Sequence, residues 1–287
     1  MADRLSIIFW LWGREGPPHR YSGLYDYTPE MVNRMAAQVR RTMTHDFEPV
    51  VVTDYPADLF DSSIRHVDLM QHFGELRGMG GCWLRLKAFS AGMHDILGPR
   101  CAYIDLDSVV VADVAPLFIR SEPLVLLELG SVPENRYNGS VALWSPRETD
   151  WIWSRFDPQK SPQEARSLSF KGTDQSFLNM VCDHAKTPTF GWKDGILHYT
   201  MHCSRKLPEH ARIVTWPGRL KPDNPSVLRR AAWLAEHLDA ENPPSPTHLV
   251  PWPADAQKPL RFVMQTHRPT MQDIRRERRA MQRLQTR

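Results

Sequence analysis

Short apolar runs recur along this chain. The first covers residues 5–12 and is closed by Gly13. Short apolar runs between turn signals are typical of strands that are buried inside a sheet. Later runs of the same character cover residues 49–53, 101–111, 124–129 and 138–144. The pattern therefore predicts five buried strands.

Helical patterns separate these runs. Thr28 and Pro29 predict the start of the first helix, because threonine is a good N-cap and proline suits the first turn. The apolar stripe that follows at helical spacing, which we interpret as core, consists of Met31, Met35, Val39 and Met43. Residues 80–89 are typical of a turn that enters a helix, and residues 173–181 of a short helix. Strands that alternate with helices predict an α/β fold with a largely parallel sheet.

Two aspartates interrupt the apolar run 101–111. Asp105 and Asp107 are separated by one residue, and alternate side chains of a strand point the same way. We therefore expect both carboxylates to converge at the carboxyl end of a strand, where α/β sheets bind ligands. Two carboxylates that lie so close repel each other unless a positive charge lies between them. A hard divalent cation fits this position, and such cations commonly hold substrate phosphates as well.

Composition limits the class of protein. A chain of 287 residues with 41% apolar and 10% aromatic residues can bury a large core, which excludes general disorder. The net charge of +3 is too small to indicate nucleic-acid binding by the molecule as a whole. Residues 261–287 carry eight arginines against Asp273 and Glu277, so residues 1–260 carry about −3. The basic character therefore belongs to the C-terminal tail.

The sequence predicts two segments. Residues 1–225 contain the alternating strands and helices and form the predicted catalytic domain. Residues 226–287 form a predicted extension, with six prolines between residues 243 and 259 and a basic C-terminal helix. Such a helix suits an anionic membrane surface, or nucleic acid as a less favoured polyanion, or it folds back on the catalytic domain.

The remaining features predict a cytoplasmic protein with reduced thiols. No residues have the pattern of a cleavable secretory segment, and the longest apolar run, residues 7–12, is far shorter than a membrane span. The four cysteines are scattered without the spacing of a metal finger, and they are Cys82, Cys101, Cys182 and Cys203.

Four blocks in order resemble the retaining glycosyltransferases of family 8 and their bacterial relatives, which have the GT-A fold. The first block is the opening strand with residues 27–32 and Thr-Asp at 53–54. The others are residues 83–89 with Tyr-Ile-Asp-Leu-Asp at 103–107, Tyr-Asn-Gly-Ser-Val at 137–141 with Thr-Asp-Gln-Ser-Phe-Leu-Asn at 173–179, and Gly-Arg-Leu-Lys-Pro at 218–222. The resemblance covers roughly residues 5–225. It implies a GT-A-like mixed, mostly parallel central sheet flanked by helices, with a C-terminal extension.

The resemblance also implies the ligands. The expected donor is a nucleotide sugar, most often a UDP-sugar, with Mn²⁺ or Mg²⁺ bridging Asp105 and Asp107 to its diphosphate. Lys221 matches the family lysine that reaches the diphosphate, and Gly218 matches a glycine whose backbone can approach it closely. Negative charge builds on the diphosphate as the sugar leaves, and nearby cations offset that charge. The basic C-terminal helix, rather than the resemblance, suggests the acceptor, because a lipid-linked or lipopolysaccharide glycan lies at an anionic membrane surface.

Further residues match functional positions of the family. The resemblance assigns Asp174 to orienting the sugar hydroxyls and Gln175 to stabilising the anomeric centre, although the pair also fits a helix cap with an exposed neighbour. Positions implied to contact the donor are Trp12, Gly13, Asp54, Arg85, Lys87, Tyr103, Leu106 and Asn138. Some of these have structural alternatives, as a core aromatic (Trp12), solvated helix charges (Arg85, Lys87) or a turn residue (Asn138).

One position departs from the family. The third metal ligand there is a histidine three residues before the matching glycine, and that position is Thr215 here. We expect water, the diphosphate, His202 or His210 to complete the shell. His198 and His202 with Cys203 also have part of the spacing of a zinc site.

Two other classes remain as alternatives. A phosphohydrolase of the haloacid dehalogenase type also has a strand followed by Asp-x-Asp, but it needs a downstream acidic pair that the sequence around Asp174 lacks. A degenerate module that binds a nucleotide sugar or a polyanion without catalysis is the second alternative.

Overall fold

A computed structural model describes residues 4–13, 27–130, 132–170, 172–216 and 221–238. The described residues belong to one compact unit. Their strands are β1 (Leu5–Leu11), β2 (Phe47–Thr53), β3 (Arg65–Asp68), β4 (Arg100–Ile104), β5 (Val109–Val110), β6 (Leu124–Glu128), β7 (Tyr137–Trp144), β8 (Thr189–Phe190), β9 (Ile196–His198) and β10 (Ile213–Thr215).

The α-helices of the described residues are short apart from the first. They are α1 (Pro29–Thr42), α2 (Leu69–Phe73), α3 (His94–Leu97), α4 (Ala115–Phe118), α5 (Pro146–Ser154), α6 (Ser161–Ser167), α7 (Asp174–Val181) and α8 (Pro225–Arg230). The described residues also form short 3₁₀ or π helices, which are Ala57–Leu59, Gly74–Met79, Trp83–Phe89, Ala91–Met93, Pro133–Asn135, Trp192–Asp194, Tyr199–Cys203 and Ala232–Glu236.

The central sheet has seven strands in the order β3-β2-β1-β4-β7-β6-β8. All its strands run in one direction except β7, which is antiparallel to both β4 and β6. The predicted α/β fold with a mixed, mostly parallel sheet is confirmed. The ends of β1, β2 and β4 and the start of β7 therefore lie along one edge, which we call the carboxyl edge.

The Asp-x-Asp pair lies where the chain leaves this sheet. β4 ends at Ile104, and a turn follows in which the Ser108 N–H donates to the Asp105 carbonyl at 2.9 Å. β5 then joins a second sheet of order β5-β10-β9. The aspartates lie between two apolar half-strands, as predicted, and these half-strands belong to different sheets. A turn, and not strand alternation, sets the positions of Asp105 and Asp107.

The core lies on both faces of the central sheet. Ile7 and Phe9 of β1 belong to one buried cluster, and Ile8 and Trp10 belong to the other, as the two-residue period of a strand requires. The predicted stripe of α1 covers the first face, with Met31, Met35 and Val39 buried and Met43 partly buried. The interpretation of this stripe as core is confirmed.

Local details differ from the expected helix starts. Residues 83–89 form a 3₁₀ helix, and the turn before it places Gly81 at φ +59°. A Cβ on Gly81 would lie 2.5 Å from Thr173 Cγ2, so glycine permits both the turn and the close approach. Thr28 precedes α1 with extended backbone, as predicted, but its side chain makes no capping hydrogen bond.

The packed structure continues past residue 225. Val227 and Ala231 are buried in a third cluster together with Trp216 and Val214, and Leu234 of the last 3₁₀ helix joins them. The predicted linker and the basic tail lie outside the described residues. Within the described ranges, no helix has the length and apolar character that crossing a membrane requires. All four cysteines are unpaired.

Candidate active site

Arg85 lies at the centre of the polar cluster on the carboxyl edge. Its Nη1 donates to Asp105 Oδ1 at 2.8 Å and to the Gly139 carbonyl at 3.3 Å, and it lies 3.9 Å from Asp174 Oδ2. The guanidinium carbon lies 5.6 Å from the centre of the Trp12 ring and 5.4 Å from that of Tyr103, so both rings make cation–π contacts with it. The side chain is 11% exposed, which rules out a solvated helix charge.

Burial and like charge raise the pKa of the carboxylates around Arg85. The pKa of Asp105 rises to about 6, chiefly because of burial; Arg85 opposes this rise, whereas the charges of Asp107 and Asp174 add to it. Burial also raises the pKa of Asp174, again opposed by Arg85. Three carboxylates therefore face two cations here, Arg85 and Lys221, and the fully ionised cluster carries one net negative charge.

Asp107 has its own cation. Lys221 forms an ion pair with Asp107 Oδ2, and the hydroxyl of Tyr27 donates to the same oxygen at 2.9 Å. The Lys221 ammonium also donates to the Trp216 carbonyl at 3.3 Å. The side chains of Asp107 and Lys221 are 10% and 14% exposed. The structure thus brings the predicted pair of Asp107 and Lys221 together.

A second cluster on the same edge joins the ends of β1 and β2. The Gly13 N–H donates to Asp54 Oδ1 at 2.9 Å. Arg77 Nη2 donates to Asp54 Oδ2 and to the Gly13 carbonyl, both at 2.6 Å. Arg77 is 6% exposed. The predicted residues Gly13 and Asp54 are therefore in direct contact, and Arg77 connects them.

The start of α7 faces β7. Gln175 Oε1 accepts from the Gly139 N–H at 3.2 Å, and a Cβ on Gly139 would lie 3.6 Å from Asp174 Oδ2. Asp174 is 5% exposed, so it is buried in the cluster. Asn179 holds the helix in place, because its side chain makes both an accepting and a donating bond to the backbone of Tyr137, at 2.8 and 3.0 Å.

Cys82 borders the cluster without acting as a nucleophile. Its N–H donates to Thr173 Oγ1 at 3.0 Å, which holds the 3₁₀ helix 83–89 against the start of α7. Burial raises the pKa of the Cys82 thiol to about 12, despite the opposing charge of Arg85. The thiol is therefore protonated near neutral pH, and thiolate chemistry needs the deprotonated form.

Other predicted donor contacts have different surroundings. Lys87 forms an ion pair with Glu75. Tyr103 and Leu106 belong to the buried core, with 3% and 4% exposure, and Tyr103 contacts the site through its ring against Arg85. Asn138 Oδ1 accepts from the Ser140 N–H at 3.0 Å, a local turn bond. Gly218 lies outside the described residues.

Trp12 lies between the core and the charged cluster. Its ring packs edge-on against Trp10, with centroids 6.3 Å apart, and it borders the buried cluster on one side. Its other contact is the guanidinium of Arg85. The residue therefore links the core to the site.

The expected third metal ligand is not found. Thr215 is fully buried, and its hydroxyl donates to the Leu197 carbonyl at 3.3 Å. Among the residues that the structure describes, no group of three His, Cys, Asp or Glu side chains is placed to hold a metal ion. The suggestion that His202 or His210 completes the shell is therefore wrong for this conformation, as is the zinc alternative. His202 Nδ1 instead accepts from the backbone N–H of His198.

Sequence reasoning missed three residues at this edge. Arg77 lies in a glycine-rich stretch with no recognisable motif, so no sequence signal distinguishes it from a surface arginine. Tyr27 and Asn179 lie inside blocks that carry the family resemblance, but the pattern assigned no role to either residue. Their partners, Asp107 and Tyr137, are 80 and 42 residues away along the chain.

Comparison with known proteins supports the fold. No protein-family profile and no curated protein sequence matches this chain. The galactosyltransferase LgtC, solved with donor and acceptor sugar analogs, superposes with a TM-score of 0.51 at 15% identity, over 81% of this chain and 96% of LgtC. An active-site mutant of LgtC, with glutamine replaced by glutamate, gives a TM-score of 0.53 at 14% identity with the same coverage.

A further neighbour is the glycosyltransferase GlyE of Streptococcus pneumoniae TIGR4. Its TM-score is 0.52 at 15% identity, over 77% of this chain and 57% of GlyE. Identities this low establish the fold alone. The chain therefore has the GT-A fold of glycosyltransferases.

Proposed function

We propose that this protein is a glycosyltransferase that moves a sugar from a nucleotide-sugar donor, most plausibly a UDP-sugar, to an acceptor hydroxyl. One observation carries the proposal. Asp105, Asp107 and Asp174 form a single charged cluster with Arg85 and Lys221, at the edge of a GT-A sheet where ligands bind. A protein that used this fold only as a scaffold would have no need to hold three carboxylates together, two of them buried.

The nucleoside, the diphosphate and the sugar of the donor each have a proposed place at this edge. The nucleoside belongs beside Trp12, Gly13 and Asp54, where Arg77 fixes the carboxylate. The diphosphate belongs between Lys221 and the Asp-x-Asp turn. The sugar then reaches Asp174 and Gln175. LgtC has an active-site glutamine, and we propose that Gln175 has the equivalent role in this protein.

The donor set fits a divalent cation that arrives with the diphosphate. Mg²⁺ is commonly bound through one or two protein carboxylates together with substrate phosphates and water, and Asp105 and Asp107 supply two. The cluster's net negative charge is also what a cation would offset. When bound, Mg²⁺ or Mn²⁺ would stabilise charge on the leaving diphosphate.

The protein's own residues account for the other steps. The acceptor oxygen forms a bond to the anomeric carbon while the bond from that carbon to the diphosphate oxygen breaks, and the acceptor proton passes to the departing phosphate oxygen. Lys221 offsets the charge that develops there. Asp174 holds the sugar hydroxyls, and Gln175 lies beside the anomeric centre. We propose retention of configuration, following the family resemblance.

The test is nucleotide release from a panel of nucleotide sugars, with and without Mn²⁺ or Mg²⁺. We expect slow, metal-dependent hydrolysis of one donor and its loss in Asp107→Asn. Asp183→Asn is the matched control, because Asp183 pairs with Lys186 on the surface. Phosphate release from simple phosphate esters would instead favour the dehalogenase alternative. If no donor gives nucleotide release, and UDP with Mn²⁺ gives no thermal shift, the result would favour a non-catalytic binding module.

The basic tail suggests where the acceptor lies. We propose that residues 261–287, with eight arginines and two acidic residues, bind an anionic membrane surface that presents a lipid-linked or lipopolysaccharide acceptor. Sedimentation with vesicles checks this. The full chain should bind vesicles that contain anionic phospholipid and should not bind neutral phosphatidylcholine vesicles, and truncation after residue 260 should abolish the difference. Equal sedimentation of both forms would contradict the proposal.

A further inference from the structure

The two carboxylates of the Asp-x-Asp turn are held in different ways. Asp105 pairs with Arg85, whose guanidinium is fixed by two aromatic rings and by the Gly139 carbonyl. Asp107 pairs with Lys221, whose ammonium is a compact charge on a flexible stem. The surroundings of Arg85 therefore hold it in place, whereas the Lys221 ammonium, which also donates to the Trp216 carbonyl, lies on a flexible stem that can turn towards another acceptor.

In the free protein, a cation that binds at Asp107 must compete with the Lys221 ammonium. The Lys221 ammonium already compensates Asp107 and repels a second positive charge. A nucleoside diphosphate changes the balance, because its oxygens offer the ammonium a new and more negative partner. Asp107 would then be available to a cation at the moment when the diphosphate supplies that cation's other oxygen ligands.

We propose that Lys221 blocks cation binding at Asp107 in the free protein and releases Asp107 when a nucleoside diphosphate binds. This inference rests on the proposed donor site and adds a mechanism of coupling to it. Cation and nucleotide bind together, and neither forms a stable complex with the protein alone. The missing third side-chain ligand has the same consequence, because the described residues offer no preformed metal cage.

The coupling has a thermodynamic signature. If UDP raises the affinity for Mn²⁺ by some factor, Mn²⁺ must raise the affinity for UDP by the same factor. We expect that factor to lie in the range of about 5 to 150 that is common for coupled sites. Removal of the Lys221 charge should raise the affinity for Mn²⁺ alone and lower the affinity for UDP. A lysine with a merely structural role would not produce that opposition.

The experiment measures Mn²⁺ binding to the full chain by electron paramagnetic resonance of the free ion, with and without UDP. In the wild type we expect weak binding of Mn²⁺ alone and much tighter binding with UDP. In Lys221→Met we expect binding of Mn²⁺ alone to tighten roughly tenfold, since an opposing charge is removed, and the effect of UDP to be smaller than in the wild type, because only the coordination of Mn²⁺ by the diphosphate then couples the two ligands. Lys186→Met is the control and should behave as the wild type, because Lys186 pairs with Asp183 on the surface.

Several outcomes would overturn the inference. One is equal affinity of the wild type and Lys221→Met for Mn²⁺ alone. Another is wild-type binding of Mn²⁺ that UDP does not change, and a third is no Mn²⁺ binding in any state. Each of these leaves the proposed transferase activity standing if nucleotide is still released from a donor. Failure of the proposed function itself is recognised separately, by the absence of nucleotide release from every donor.

Discussion

The guanidinium of Arg85 donates to Asp105 at 2.8 Å and lies 3.9 Å from Asp174. One cation thus connects the carboxyl end of β4 with the start of α7. The sequence separations are 20 and 89 residues, so this contact exists only in the folded chain. It ties the residue expected near the diphosphate to the residue expected near the sugar.

Arg85→Met should destabilise the protein strongly. Removal of one partner of a buried ion pair costs roughly 3–5 kcal/mol, because the remaining charges are left uncompensated. Equilibrium urea unfolding measures the change. The loss should be smaller at pH 5 than at pH 8, because Asp105 and Asp174 become protonated as the pH falls and then no longer need the cation. An equal loss at both pH values would contradict this explanation.

Asp174→Asn should stabilise the protein at alkaline pH while it abolishes transfer. Burial raises the pKa of Asp174 above the ordinary 3.8, so the folded state binds this proton more tightly than the unfolded chain does. The stability that this tighter proton binding adds to the folded state is complete below pH 3.8. It is lost as the pH rises through the folded-state pKa of Asp174. Asparagine does not titrate, so the stability of the variant relative to the wild type should increase with pH.

Thermal unfolding between pH 4 and pH 8, with chelator present, measures this trend. Asp183→Asn is the control and should show little trend over this range, because backbone bonding from Ala185 lowers the pKa of the exposed Asp183 carboxylate below its ordinary 3.8. A relative stability of Asp174→Asn that falls with pH would show that Arg85 outweighs burial at this position.

Arg77→Lys should weaken donor binding with little change in kcat. Arg77 is buried, and the ammonium of lysine is more strongly hydrated than a guanidinium and lacks its planar shape, so lysine should hold Asp54 and the Gly13 carbonyl less well. The KM for the donor should rise roughly tenfold, the scale of one charge-assisted hydrogen bond. Steady-state kinetics with the donor found in the screen checks this.

Arg65→Lys is the matched control for that variant. Arg65 also bridges a carboxylate, Glu48, and backbone carbonyls, those of Ile96 and Leu97, but it begins β3 and so lies at the opposite edge of the sheet. It should reduce stability without changing the KM. Equal effects of both variants on KM would remove Arg77 from the donor site.

Gly81→Ala should both destabilise the fold and impair transfer. Alanine is strained at φ +59°, and its Cβ would lie 2.5 Å from Thr173 Cγ2, so the start of α7 must shift. The strain should cost roughly 1–3 kcal/mol. Gly92→Ala is the control, because no atom lies within 4 Å of its Cβ position. Urea unfolding and nucleotide release measure both variants, and matching results would contradict the packing argument.

Much of the architecture was predictable from local pattern. The predicted strands at 5–12, 49–53, 124–129 and 138–144 agree with the observed strands to within two residues at either end. The helix from Thr28 and its buried stripe also follow from spacing alone. The strands were predictable because burial on both faces of the sheet requires continuous apolar runs, and the helix was predictable because burial of one face leaves an apolar stripe at helical spacing. Periodicity does not reveal, however, that the chain changes sheets between the two half-strands of the run 101–111.

The sequence by itself determined which chemical groups this protein has: the Asp-x-Asp pair, the Asp-Gln pair of α7, and a lysine near the end of the packed unit. Only the tertiary structure decided their partners. Lys221 pairs with Asp107 across 114 residues and Tyr27 reaches it across 80. Such contacts depend on where distant segments return to the sheet edge, and hydrophobic pattern records whether a residue is buried, not which residue it meets. The threonine at position 215 was visible in the sequence, but its burial beneath the Leu197 carbonyl was a result of folding.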